Sequence, residues 1–357
     1  MKSIHPIITL ICLVLMQGSG SGQAKEDNVA GLANAPGLVP LHEIPPFDPE
    51  PPREFTPAFA FTLHVVDEDG KPVEGAAFRA AGGFGAVTGL TDENGRAEVE
   101  GRSIGFVEIK ITKDGFYWSR PEFPQVENDP RDYDEIHREG LRPWNPEMKV
   151  VLRRIGNPIP MIVRPYSRAV VSIPVLGEEV AYDLFIGDWL PPYGEGQDAD
   201  LLVRMNQTTE GELPYVLSAA IRFRNENDGF HPVNSLPAPD SDFLFPRKAP
   251  VTDYSHNKLD LRLIMEDAGY RREGQLGKKG YFFRVRTELD ETGEVVQAYY
   301  GKILGPIEYG LSYGGKEPSG FLTMWLYLNP EPNDRNTEFD TQNNLVPGSP
   351  RVYTPPG

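Results

Sequence analysis

Two short stretches, Asp67-Glu68-Asp69-Gly70-Lys71 and Asp92-Glu93-Asn94-Gly95-Arg96, constrain the fold more than anything else in the chain. Each places an Asp–Gly or Asn–Gly step between apolar, strand-like runs. Asp and Asn tolerate left-handed backbone, and glycine meets no Cβ clash there, so both read as tight β-turns. Phe59, Phe61, Leu63 and Val65 alternate before the first turn. After the second, Ala97 and Val99 alternate with Glu98 and Glu100, and Val107, Ile109 and Ile111 with Glu108, Lys110 and Thr112. A period of two with charge on the other face predicts half-buried antiparallel strands. Residues 149–153 (KVVLR) are expected to close the sheet, and the proline- and acid-rich stretch 119–147 reads as a long loop.

A second β-rich region is expected over 158–345. Its strand candidates are 169–175, 182–186, 201–205, 216–223 and 259–265. A hairpin follows, 281–289 and 295–303 around Asp290-Glu291-Thr292-Gly293, and 321–328 is a last strand apolar on both faces. The Gly-terminated turn fits a four-residue loop closing in a bulge. No segment keeps a 3.6-residue apolar stripe beyond one or two turns, so the fold class is all-β: a small β-sandwich followed by an antiparallel β-rich domain.

Residues 67–76 (DEDGKPVEGA), 91–96 (TDENGR) and the strand end Lys113-Asp114-Gly115-Phe116-Tyr117 resemble the carboxypeptidase regulatory-like and bacterial Ig-like modules. The resemblance covers about 60–117. It implies a transthyretin-like β-sandwich that serves as spacer, stabiliser or adhesion surface rather than as a catalyst. The second region is similar to a β-domain of exported planctomycete- or verrucomicrobium-type proteins. Residues 187–194 (GDWLPPYG), 281–287 (YFFRVRT), 298–303 (AYYGKI) and 327–340 (YLNPEPNDRNTEFD) carry that resemblance, which implies export and architecture but no activity.

Residues 1–24 read as a secretory signal: Lys2, the apolar core 7–16 (IITLICLVLM), then Gly22-Gln23-Ala24 with small residues at the −3 and −1 places of a cut. The single cysteine, Cys12, lies in that core, so the exported chain is expected to carry no disulfide or thiolate site. Residues 25–57 read as a proline-rich tether. The expected division is signal 1–24, tether 25–57, sandwich 58–155, β-rich domain 158–345 and tail 346–357. No later stretch is apolar enough to span a bilayer. With 35 basic against 52 acidic residues and a formal charge of −17, nucleic acid and anionic membrane surfaces are poor partners. The expected partner is an envelope protein or a polysaccharide, in the periplasm or outside the cell.

Catalytic signatures are absent: there is no His-Glu-x-x-His and no Gly-x-Ser-x-Gly, and His42, His64, His137, His231 and His256 stand apart from one another. No catalytic residue is assigned. Asp183 and Asp188, flanking an aromatic loop, are the candidates for an alternative reading as a carbohydrate-active hydrolase or lyase. No cofactor is expected, although Glu127, Asp129, Asp132 and Asp134 crowd one loop in a way that could supply calcium oxygens. A solvated charge run is the default reading of them. The ligand-binding candidates are aromatic: Phe321, Trp325 and Tyr327 on one face of the last strand, with Trp189 and Tyr193 in the loop after Asp188. Flat rings with polar edges suit sugar faces, and a central strand buried on both faces produces the same pattern.

Overall fold

In a computed structural model, the structure describes residues 56–357 except 84, 104, 127–128, 165–169, 209–214, 267–268, 313–318 and 348–353. The leader, Cys12, most of the tether and Glu127 lie outside the described residues. The alternating run after Pro57 forms β1 (Ala58–Asp67). It is flanked by β4 (Arg96–Arg102), antiparallel, and β6 (Glu147–Leu152), parallel, with Thr62 opposite Glu147. The parallel pairing departs from the antiparallel expectation. A long excursion separates the two strands and returns the chain in the same direction, which a short hairpin cannot do. A second sheet has β2 (Ala77–Ala81) between β3 (Ala86–Leu90) and β5 (Glu108–Thr112). Phe59, Phe61 and Leu63 from one sheet meet Phe78, Ile109 and Ile111 from the other in the core between them. Each fully buried side chain of this size stabilises by roughly 1.5–3 kcal/mol.

The turns repeat one design. Asp67, Asp92 and Asp290 each accept, through Oδ1, the backbone N–H groups two and four residues on. In each, the glycine sits at positive φ (Gly70 78°, Gly95 70°, Gly293 87°) and its N–H closes back on the Asp carbonyl. Gly95 is further constrained, because a Cβ there would lie 2.3 Å from the Val65 carbonyl oxygen.

The remaining strands build two larger sheets. One runs β10 (Asp188–Trp189), β9 (Glu179–Asp183), β11 (Leu201–Gln207), β12 (Tyr215–Phe223), β14 (Lys258–Glu266), β15 (Gly269–Glu273). The other runs β13 (Gly229–Val233), β16 (Gly280–Leu289), β17 (Val295–Ser312), β18 (Ser319–Leu328), β7 (Ile159–Arg164), β19 (Phe339–Asn344), with β8 (Val170–Ile173) also paired to β18. Val203, Ile221, Tyr281, Leu322 and Leu326 belong to the core between these sheets. A further core of Phe245, Phe282, Tyr300, Tyr327 and Phe339 includes residues from the opposite side of the second sheet, so β18 is buried on both faces. The stretch 119–147 is not all loop: α1 (Tyr133–Glu139) lies within it, capped by Asp132 in a reciprocal box with Glu135.

A buried charge cluster joins the first sandwich to the later sheets. Arg153, 3% exposed, donates to the Phe243 and Phe245 carbonyls and to Glu68. Arg247 also binds Glu68 and lies 3.0 Å from Glu338. Glu338 accepts from the Tyr117 hydroxyl at 2.7 Å and from the N–H groups of Gly156 and Asn157. Beside it, Lys302 is fully buried and donates to the carbonyls of Thr337, Pro356 and Gly357. Burial and the neighbouring Arg153 charge pull its ammonium well below the usual lysine range, against the opposing pull of Glu338. The described residues form one compact unit. Among the described residues, no helix is long and apolar enough to cross a membrane.

Candidate functional site

The segment between β9 and β11 is a tight loop because its acids serve its own backbone. Asp183 ends β9, 1% exposed, and its carboxylate accepts from the N–H groups of Phe185, Ile186, Gln197 and Asp198. Arg286 adds a fifth donor at 3.2 Å. Burial alone would raise this carboxyl, but the N–H groups of Asp198, Ile186 and Gln197 and the Arg286 charge outweigh it and hold it below its usual range. Asp188 similarly accepts from the N–H of Trp189 and of Glu195. Both acids suspected of catalysis are therefore braces of the loop. A proton donor of the glycosidase type needs the shift opposite to that of Asp183.

Arg286 locks the loop from below. It stands at a bulge in β16 with φ 53°, where Asp228 accepts from the N–H groups of Arg286 and Thr287. Its guanidinium grips Asp200 through two bonds, at 2.8 and 3.0 Å, and lies 3.1 Å from Asp198. It also covers the Phe185 ring, which meets Tyr299 edge-on at 5.0 Å. Burial pushes the Asp200 carboxyl up despite Arg286, and pushes Asp228 up despite its Thr287 bonds.

Above this base lies a groove of about 420 Å³. Trp189 and Tyr182 line it, although both belong to the core between the sheets and are only 6% and 4% exposed. They pair across β9–β10 and meet edge-on at 5.0 Å, and the Trp189 Nε1–H is fixed on the Ser172 carbonyl of β8. Burial pushes the Tyr182 hydroxyl up to about 12. Val170 and Ile186, each more than half exposed, form an apolar rim, while Arg164 and Asp188 supply the charge. A second concavity, on the β2–β3–β5 sheet, is lined by Arg79, Thr88, Leu90 and Lys110, but the Lys110 ammonium already lies 3.4 Å from the centre of the Trp118 ring.

Of the aromatic candidates, Trp189 lines the groove and Tyr193, 44% exposed, follows in its loop. Phe321 pairs with Ser172 in the β8–β18 ladder, beside the groove wall. Tyr327 is fully buried and its hydroxyl donates to the Pro355 carbonyl, and half-buried Trp325 stacks on it at 6.4 Å. These two rings belong to the outer core, where no ligand can stack on Tyr327 without displacing the chain that covers it. In the acidic loop, Asp129 is clasped by Arg131, whose hydrogen bonds lower its carboxyl to about 2. Asp132 caps α1 and Asp134 sits in its first turn. Among the described residues, no three His, Cys, Asp or Glu side chains converge as metal ligands do. Arg164 and Arg286 escaped the sequence reading, because an isolated arginine carries no signal until distant strands bring its partners to it.

No family model matches the chain, and no curated protein does. Among solved structures the chain is similar to a Bacteroides uniformis protein suggested to bind carbohydrate, at 8% identity over 76% of this chain and 98% of that one, with a TM-score of 0.18. It is also similar to BcpA, the major pilin subunit of Bacillus cereus (13% identity, 74% and 95% covered, TM-score 0.18). The shaft pilin spaA from Lactobacillus rhamnosus GG is a third (8% identity, 76% and 94% covered, TM-score 0.16). Superpositions this weak carry no functional argument, so the site's own geometry has to.

Proposed function

We propose that the chain is an exported, non-catalytic binding protein of the bacterial envelope or extracellular space, built of a sandwich over 58–155 and a β-rich domain over 158–345. Its recognition site is the groove beside Trp189, and its ligand is a polysaccharide. The observation that supports this reading is the state of the groove. Its walls are braced, its one acid, Asp188, accepts from two backbone N–H groups, and the exposed Val170 and Ile186 rim stands beside the edges of the buried Trp189 and Tyr182 rings. A concave, largely apolar cleft with a few fixed polar groups is how small ligands and sugar units are held.

Titration of a broad panel of polysaccharides, with product analysis of every incubated sample, tests it. Binding without cleavage is expected, abolished by Ile186→Trp, which fills the mouth of the groove without touching the loop's hydrogen bonds. Cleavage products would overturn the non-catalytic reading. Binding indifferent to Ile186→Trp would move the site elsewhere.

A further inference from the structure

The sole guanidinium of the groove differs from the other strongly buried arginines in what neutralises it. Arg164 ends β7 and reaches under the 184–187 loop, where it donates to the carbonyls of Leu184 (2.8 Å) and Phe185 (3.0 Å). Gly187, at φ +79°, makes the approach feasible, since a Cβ there would lie 2.0 Å from the guanidinium. Arg153 has Glu68, and Arg286 has three aspartates. Among the described residues, no carboxylate forms an ion pair with Arg164. A guanidinium carries five N–H donors, and the two carbonyls take two of them. Asp188, the acid of the same groove, spends its oxygens on Trp189 N–H and Glu195 N–H.

Asp183 acts on this half-buried cation only from beyond ion-pair distance, so burial still dominates, and an incoming anion in direct contact recovers part of that cost. Burial indeed pulls the Arg164 guanidinium below its usual range. A planar fork that, among the described residues, donates only to two carbonyls matches a carboxylate or sulfate in two-point contact, while the exposed Val170 and Ile186 rim beside it suits the apolar face of a pyranose. Resting on the groove reading above, we infer that Arg164 makes the groove selective for an acidic sugar unit, a uronate or a sulfated residue, within a polysaccharide. The chain's net negative charge repels polyanions at long range. Physiological salt, with a Debye length of about 8 Å, screens most of that repulsion and leaves the contact pair.

Titration calorimetry of the purified protein with polygalacturonate, chondroitin sulfate, neutral dextran and poly-glutamate tests this. The two acidic glycans separate carboxylate from sulfate recognition. At least one is expected to bind, with about a tenfold loss for Arg164→Gln, a smaller loss for Arg164→Lys, and about a tenfold loss for Ile186→Asp. Ile186→Asp places a like charge at the exposed rim and leaves every loop-bracing side chain in place, so it guards against misfolding of the Arg164 variants. Dextran binding as tightly as the acidic glycans, blocked by Ile186→Trp but indifferent to Ile186→Asp, would overturn the charge selectivity and leave the groove standing. Poly-glutamate binding with the same variant profile would overturn the sugar and keep only the anion. No binding by any glycan would remove both readings.

Discussion

The molecule holds two buried charge clusters that solve opposite problems. Between the sandwich and the later sheets, Arg153, Arg154 and Arg247 face Asp67, Glu68 and Glu338, nearly one to one. Beneath the groove, Arg286 alone serves Asp183, Asp198 and Asp200, with Asp228 behind it. In the balanced cluster every carboxyl is held low: burial opposes ionisation, but arginine charges and N–H donors outweigh it at Asp67, Glu68 and Glu338. In the unbalanced one, burial wins at Asp200 and Asp228. Asp183 escapes this because four backbone N–H groups hold it, whereas Asp200, among the described residues, accepts only one beside Arg286, and burial prevails there.

Removing the lone cation breaks the contrast most forcefully. Arg286→Met strands its buried carboxylates and is expected to cost about 3–5 kcal/mol in urea unfolding at pH 7. The deficit should shrink at pH 5, where Asp200 and Asp228 take up protons more readily. A deficit independent of pH would mean that these acids are not the strained partners. Glu338→Gln in the balanced cluster should cost less, about 2–3 kcal/mol, through the Tyr117, Gly156, Asn157 and Arg247 contacts. No relief is expected between pH 7 and 5, because the ordinary carboxyl value of 4.5 and the lowered folded one both lie beneath that window.

Much of this architecture was legible in the sequence. The alternation at Phe59–Phe61–Leu63–Val65 and the three Asp-to-Gly turns located β1, β4, β16 and the start of β17, while β17 runs on past the expected Ile303 to Ser312. β7 and β13 were missed because Pro160 and Pro232 interrupt them, and β15 because Gly-Tyr-Arg-Arg-Glu has no apolar face. Tyr327 and Trp189 looked alike in sequence. Only the partner sheets decide that one is sealed by Phe339 and Pro355 while the other walls a groove.

The wild-type pH profile sharpens the comparison more gently. Asp200 and Asp228, raised above 3.8, favour the folded state in their protonated form. The cost they impose at neutral pH is therefore relieved as pH falls through their folded values toward 3.8. A tenfold gain in a carboxyl's hold on its proton is worth about 1.4 kcal/mol. Asp67, Glu68, Glu338 and Asp183, all lowered, contribute stability above 3.8–4.5 that is lost as pH falls through their folded values. A stability maximum on the mildly acidic side is expected from denaturant midpoints across pH 3–8. A profile flat from 7 to 5 would remove the contrast. As a baseline outside both clusters, Gly70→Ala should cost only about 1–2 kcal/mol at every pH, since its positive φ is strained but nothing lies within 4 Å of the added carbon.

The parallel seat of β6 against β1 also sets an order in time. β1 finds its antiparallel partner β4 soon after synthesis, but its other edge stays unpaired until Glu147 to Leu152 arrive. The charge cluster behind them waits longer still, for Phe243, Arg247 and finally Glu338. Pairings this distant fold slowly, roughly in milliseconds to seconds even in small domains. A chain whose β1 is completed so late carries an unpaired sheet edge while everything between the two strands is made.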